Sequence, residues 1–165
     1  MAPPGGIIWS QFQGEFVPYS DTAGPARRKD DVVRCFAHTP TGALIAVVQI
    51  SVRLTVSRDR RSVLMQSATG TQRDQALAAP TTAPRQPQAS GELTGFQFLS
   101  YTDDAATLML VRTSSGGLTT ASLYAVSWSD GDWKLQVQPD GSAAVMTERD
   151  TQPAGVIGWS PEGAR

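Results

Sequence analysis

The second half of the chain carries four runs that are rich in β-branched and aromatic residues, with turn-forming residues between them. Runs of this kind, bounded by Gly, Asp, Ser or Pro, are typical of antiparallel strands. They cover residues 94–101, 105–112, 118–129 and 132–138. We therefore predict an antiparallel sheet of four or more strands in this half of the chain.

The turn between the last two runs is the most specific local signal in the sequence. Asp130 and Gly131 tolerate the positive φ angles that a two-residue type I′ hairpin turn requires. Such a turn places Trp128 directly opposite Trp133. Because side chains alternate between the faces of a strand, the register predicts an apolar face that consists of Tyr124, Val126, Trp128, Trp133, Leu135 and Val137.

Residues 108–111 are apolar at every position, so both faces of this predicted strand carry apolar side chains. A three-residue loop with Gly117 in the left-handed conformation turns Leu108 and Leu110 toward the core. The outer face then carries three apolar side chains, those of Met109, Val111 and Leu123. We expect either the C-terminal tail or a second subunit to cover them, and we favour a second subunit.

Residues 39–56 carry two conflicting signals. Thr39 followed by Pro40 is the signature of a helix start, with a capping residue and then proline at the first helical position. The apolar residues between positions 48 and 56, however, alternate with polar ones at strand period. Because the start signal is more specific, we predict a helix from Pro40 to about Thr55. One or two further short helices, broken near Gly70, are predicted in residues 58–77.

The remaining segments define the predicted organisation. Residues 1–31 form an N-terminal extended segment and loop, in which Pro18 ends the extended part. The charged run in this loop, residues 27–31, is interpreted as a solvated connection rather than a binding patch.

Residues 32–141 are predicted to form a single α+β domain. Within it, residues 78–91 hold three prolines and no large apolar side chain, which predicts a mobile loop. Residues 142–165 form a C-terminal tail, whose apolar patch at 156–159 is expected to pack back onto its own domain.

Composition excludes several classes of protein. Charged residues make up 18% of the chain, and 14 basic against 15 acidic side chains leave a net charge of −1. This balance argues against nucleic-acid binding, which needs a basic footprint. No signal peptide or apolar span of about 20 residues occurs, so we expect no membrane insertion. The location is left open: cytoplasmic or virion-associated if the chain is full length, with an anchor outside the sequence as the alternative.

Few residues offer chemistry, and the sequence predicts no catalytic, cofactor-binding or metal site. No cluster has metal-ligand spacing, and no phosphate-binding or nucleophile motif occurs. The single histidine, His38, is interpreted as a structural residue, with a general base as the alternative. Asp103 and Asp104 are interpreted as solvated turn formers. The single cysteine, Cys35, is expected to be a small buried apolar residue.

Residues 32–141 are predicted to contain a long first helix, then short helices, and then a meander that ends in the Trp128–Trp133 hairpin. This order of elements resembles the cystatin-like cone fold of nuclear transport factor-like proteins. That resemblance implies N-terminal helices packed on a curved antiparallel sheet. Enzymes of this fold place Asp, Tyr or His in a cavity, where only His38, Tyr101 and Tyr124 match. A cavity that binds a small molecule, or acts as an enzyme, is the alternative function.

A second resemblance is to uncharacterised actinobacterial proteins, some of them encoded with conjugation or mobile-element machinery. The residues that carry it are Trp9, Gly14, Val17-Pro18-Tyr19-Ser20, Ala23-Gly24-Pro25 and the run from Phe36 to Ala43. Among cone folds, the chain also resembles the periplasmic domain of the inner-membrane bridging component of type IV secretion systems. These resemblances imply a non-enzymatic scaffold or assembly subunit of a conjugation, secretion or phage-like apparatus, which self-associates and binds other proteins.

Overall fold

The computed structural model describes residues 1–79, 91–151 and 153–161, so most of the predicted mobile loop at 78–91 lies outside the described residues. The elements in chain order are β1 (Ile8–Phe12), β2 (Glu15–Tyr19), β3 (Arg27–Lys29), β4 (Val32–Arg34), α1 (Pro40–Val56), α2 (Arg60–Ser67), β5 (Ala68–Thr69), α3 (Thr71–Ala78), β6 (Glu92–Tyr101), β7 (Ala105–Thr113), β8 (Thr119–Ser129), β9 (Asp132–Gln136), β10 (Met146–Arg149) and β11 (Ile157–Gly158).

The main sheet has seven strands, in the order β11-β6-β7-β8-β9-β5, and β10 pairs with β8 beside β9. The four predicted strands are confirmed as β6 to β9, and the chain is α+β as predicted. The sheet is mixed, however, rather than wholly antiparallel. The two-residue strand β5, which follows α2 directly, runs parallel to β9. A strand of two residues is too short to show a hydrophobic period in the sequence.

Helix α1 confirms the prediction of a helix from Pro40. The Thr39 hydroxyl accepts a hydrogen bond from the Gly42 backbone N–H at 3.1 Å. Every residue from 42 to 54 is buried, including Gln49 and Arg53. A helix that is covered on all sides has no solvent face to mark with polar residues, which explains why the strand-like alternation was misleading. Helices α2 and α3 confirm the predicted pair broken at Gly70, whose φ is +89°.

The N-terminal region departs from the prediction. The predicted extended part before Pro18 is not one segment, because β1 and β2 make an antiparallel hairpin around Gln13 and Gly14, both at positive φ. Pro18 does not end the segment either. It lies within β2 opposite Trp9, a position that the edge of a two-stranded sheet tolerates.

The charged loop is likewise a hairpin in part, since β3 pairs with β4. All three residues of β3 are exposed, as the prediction of a solvated connection requires. Strand β4 instead contributes Val32 and Val33 to the core. Residues on both sides of the predicted 32–141 unit therefore reach the same core, among them Val17.

The predicted hairpin register is confirmed at the turn. Asp130 and Gly131 have φ of 52° and 75°, and Trp128 pairs with Trp133. The predicted loop before β8 is confirmed as well: the Ser114 N–H donates to the Leu118 carbonyl at 2.9 Å, with Gly117 at a φ of 82°. As expected, the core face of the sheet is buried, at Leu108, Leu110, Tyr124, Val126, Trp133, Leu135 and Val137.

The C-terminal tail packs back onto its own domain, as predicted. Strand β11 pairs with β6, and the Trp159 indole is 93% buried, with a relative exposure of 7%. Its ring lies 4.9 Å from the Trp9 ring and 5.6 Å from the Phe96 ring. The two ends of the described chain thus close the same part of the core.

The two indoles of the hairpin differ in burial, and we expect them to differ in their effect on stability. Trp133 is 1% exposed, whereas Trp128 is only partly buried. Trp133→Ala should lower the free energy of unfolding by about 3–5 kcal/mol, and Trp128→Ala by less than about 3 kcal/mol. Urea unfolding of both variants measures this difference. Equal losses would contradict the assignment of Trp133 as the core indole.

Candidate functional site

The segment between β4 and α1 is fastened to the β8–β9 hairpin by a buried carboxylate. Asp132, 5% exposed, opens β9 and accepts hydrogen bonds from two consecutive backbone N–H groups. The Cys35 N–H donates to one carboxylate oxygen at 2.7 Å, and the Phe36 N–H donates to the other at 2.9 Å. A charged acceptor makes these bonds stronger than neutral ones.

Two further contacts continue this docking toward the helix. The Trp133 indole N–H donates to the Ala37 carbonyl at 3.0 Å. The His38 ring stacks on the Trp128 indole, with centroids 3.8 Å apart and planes 4° from parallel. The His38 Nε2–H donates to the Asp103 carbonyl, and this nitrogen must carry the proton because a carbonyl only accepts.

The structure brings three of the candidate residues together and leaves Tyr124 and Asp104 outside this group. Tyr101 joins His38 and Asp103 around the hairpin, with its ring 6.1 Å from that of Trp133. Burial, and then the charge of Asp103, raise the pKa of the Tyr101 hydroxyl. Tyr124 lies four residues before Trp128 along β8, buried opposite Leu108. Asp104 is exposed in the turn between β6 and β7, as expected.

Cys35 is exposed, which contradicts the expectation of a buried residue. Its neighbours Val33 and Phe36 are buried, but Cys35 itself has a φ of +65°. This left-handed turn presents two successive N–H groups to Asp132 and leaves the thiol on the surface. The thiol lines an open cleft of about 500 Å³ that is bordered by residues 19–26.

Arg53 is a buried cation that the sequence analysis missed. It is 1% exposed, and its guanidinium lies 4.0 Å from the centroid of the Phe12 ring. It donates to the Gln49 side chain, the Asp31 carbonyl and the Tyr19 hydroxyl. Desolvation lowers the pKa of Arg53. The spacing of Gln49 and Arg53, one helical turn apart within an apolar run, was the available signal.

The outer face of the sheet carries a row of four side chains across four strands. The register aligns Gln97 of β6, Met109 of β7, Leu123 of β8 and Met146 of β10. Met109 and Leu123 are partly buried, while Met146 is 52% exposed. This set, Met109, Leu123 and Met146, is called the apolar row below.

The C-terminal tail covers the other end of this face. Val111 is only 3% exposed, and its cross-strand neighbour is Gly95. A Cβ atom on Gly95 would lie 2.5 Å from Cγ1 of Val156, so the tail packs closely here. The tail thus lies against one end of the outer face, and the apolar row reaches the edge of the sheet at Met146.

Strand β10 forms that edge. It pairs with β8 on one side, and all four of its residues are exposed. In the ranges that the structure describes, no strand pairs with its other side. An edge of this kind presents unpaired N–H and C=O groups to any further strand.

No group of three or more His, Cys, Asp or Glu side chains could hold a metal ion within 1–79, 91–151 and 153–161. In these ranges, none of the helices has the length and apolarity needed to cross a membrane. Between α1 and the sheet, Leu44, Ile45 and Val48 of the helix belong to the same buried core as Leu108 and Val126 of the strands.

Comparison with known proteins places the chain in a family. The family described as a domain of unknown function, DUF8175, matches residues 1–156. The chain belongs to this family. The match includes both N-terminal hairpins and β10, and it ends just before β11. No curated protein and no solved structure matches the chain.

The exposure of Cys35 gives a direct test of the loop geometry. We expect its thiol to react with 5,5′-dithiobis(2-nitrobenzoate) in the folded protein at a rate within about tenfold of that in urea, because access governs thiol reactivity. The Cys35→Ser variant, which should give no signal, is the control. A thiol that reacts only after unfolding would contradict the exposed position.

Proposed function

We propose that this protein is a non-enzymatic assembly subunit that acts through protein–protein contacts, in a conjugation, secretion or phage-like apparatus. The observation that carries the proposal is the exposed edge strand β10 beside the apolar row. An edge strand with apolar neighbours favours addition of a strand from another chain.

The polar groups of the molecule support a non-catalytic role. The Asp132 carboxylate is occupied by backbone N–H groups. The ring of His38 is held between a stacked indole and a carbonyl. Arg53 is buried under the N-terminal hairpin. Each of these groups therefore stabilises the fold through its present contact. It would have to break that contact before it could react with a substrate.

A second copy of the chain is the partner that we favour for this edge. A two-fold axis through Thr147 would pair two β10 strands in antiparallel fashion and set Met146 opposite the partner's Glu148. No like charges then face each other directly, and the two Met146 side chains become diagonal neighbours about 7–8 Å apart, so the ends of the two apolar rows lie near each other. The low charged fraction of the chain, 18%, offers little repulsion to such a contact.

The cone fold and the link to conjugation proteins belong to the same proposal. The packing of α1 against β7, β8 and β9 supports a cystatin-like arrangement. The alternative function, a small-molecule binder or enzyme, would use the cavity between helix and sheet. Leu44 of α1 and Leu108 of β7 are both buried in one core there, which favours the assembly role.

Sedimentation velocity of the full chain at micromolar concentration tests the proposal. We expect a dimer or larger assembly, and we expect Met146→Glu to weaken it at least about tenfold because each new carboxylate would lie directly opposite the partner's Glu148. Met65→Glu is the matched control, since Met65 on α2 is 51% exposed against 52% for Met146. A wild-type chain that stays monomeric up to about 100 μM, or equal weakening by both variants, would refute the proposal.

A further inference from the structure

The β3–β4 hairpin sets two arginines directly against each other. Arg27 and Arg34 are register partners in this hairpin, and both are exposed. Partners in an antiparallel pair have Cβ atoms about 4.5–5.5 Å apart, so like charges in such a pair destabilise it. Lys29 is on the same strand as Arg27, two residues away, and therefore on the same face. We call Arg27, Lys29 and Arg34 the basic triad.

No carboxylate in the described ranges neutralises the basic triad. The ion pairs there are Arg73 with Asp74, Arg112 with Glu15, and Lys134 with Asp130. The two acidic residues of the hairpin turn, Asp30 and Asp31, do not neutralise the basic triad either. The Asp31 carboxylate accepts a 2.5 Å hydrogen bond from the Ser57 hydroxyl, and Asp30 forms no ion pair with Lys29, both of which the structure describes.

A cleft continues from the base of this hairpin. The Ala26 N–H donates to the Cys35 carbonyl at 3.1 Å, and the Ala37 N–H donates to the Ala23 carbonyl at 3.1 Å. The segment that precedes Arg27 thus remains paired with the segment that follows Arg34. Both segments contribute residues to the walls of the 500 Å³ cleft. Gly24 fixes the cleft wall, because a Cβ there would lie 2.7 Å from the Cys35 carbonyl oxygen.

The cleft has the character of a peptide site. Its lining includes Tyr19, Ser20, Thr22 and small residues such as Gly24 and Ala26. The Arg28 guanidinium lies 4.9 Å from the Tyr19 ring centroid and donates to its hydroxyl at 3.2 Å. One acidic residue, Asp21, also lines the cleft. The lining therefore combines an aromatic surface and hydrogen-bonding groups next to a strong positive charge.

We infer that the basic triad and the adjoining cleft bind an acidic peptide segment of a protein partner. A carboxylate placed between Arg27 and Arg34 would convert their repulsion into two charge-assisted hydrogen bonds, since the guanidinium fork matches carboxylate geometry. The remainder of the peptide would lie along the cleft. This inference goes beyond the proposed function, because it uses residues other than β10 and the apolar row.

The charge distribution favours a peptide over a nucleic acid. A protein that binds duplex DNA commonly neutralises about 6–10 phosphates. The triad supplies three cations, and Asp21 and Asp30 lie close to it in the chain. The net charge of the whole chain is −1. A short acidic segment matches three cations, whereas a polyanion would extend over the acidic residues around them.

Fluorescence anisotropy with labelled hexaglutamate tests this inference on the full chain. We expect saturable binding at low salt that weakens as salt is added. The Arg27→Ala/Arg34→Ala double variant should bind at least about tenfold more weakly. The matched control, Arg61→Ala/Arg73→Ala, removes the same charge from α2 and α3 and should change binding less than about twofold.

A stability measurement separates lost binding from lost structure. Arg27→Ala/Arg34→Ala removes the repulsion between the two arginines. The thermal midpoint of this variant should therefore equal or exceed that of the wild type. Absence of saturable hexaglutamate binding, or equal weakening in both double variants, would overturn the inference. Tighter binding of single-stranded hexathymidylate than of hexaglutamate would overturn it in favour of a nucleic acid.

The same variants distinguish this inference from the proposed assembly role. Arg27→Ala/Arg34→Ala should sediment like the wild type, and Met146→Glu should bind hexaglutamate like the wild type. Failure of peptide binding in a chain that still self-associates refutes only the peptide site. Failure of self-association in a chain that still binds the peptide refutes only the proposed assembly through β10.

Discussion

The Asp132 carboxylate, with its two backbone hydrogen bonds from Cys35 and Phe36, is the interaction on which the rest of the structure depends. The two hydrogen bonds join residues that are 97 and 96 positions apart in the chain. They hold the segment between β4 and α1 against β9. Thr39 caps α1 only three residues after Phe36, so this contact sets where the helix begins above the sheet. A buried N–H without a partner costs about 1–3 kcal/mol, so loss of the carboxylate would leave the buried Phe36 N–H unpaired at that cost and the part-buried Cys35 N–H at a smaller one.

This constraint also explains which surfaces are left for function. The hairpin that carries Asp132 also carries the two indoles, and these engage Ala37 and His38. The side chains that could take part in chemistry are therefore used to hold α1 against the sheet. The exposed features include the edge strand β10, the basic triad and Cys35. The proposals above rest on the first two of these surfaces.

Sequence predicted the elements whose signals are local. Thr39-Pro40 and Asp130-Gly131 each determine a backbone geometry within a few residues, and the helix start and hairpin register followed from them. The register in turn located Met109 and Leu123, two of the three residues of the apolar row.

Sequence could not predict features that depend on distant partners. The exposure of Cys35 follows from a carboxylate at position 132, and the burial of Arg53 follows from a ring at position 12. Strand β10 carries no period of its own and exists because β8 offers an edge. The hairpin at Gln13-Gly14 lacked the Asn or Asp that usually marks such turns.

Native-state hydrogen exchange at the amides of Cys35 and Phe36 tests the central role of Asp132 most directly. If these two bonds hold the helix on the sheet, both amides exchange only when the whole protein unfolds, with the same opening free energy as the slowest amides of β8. If the segment is an ordinary surface loop, they exchange by local opening, far faster than β8. That result would contradict the account.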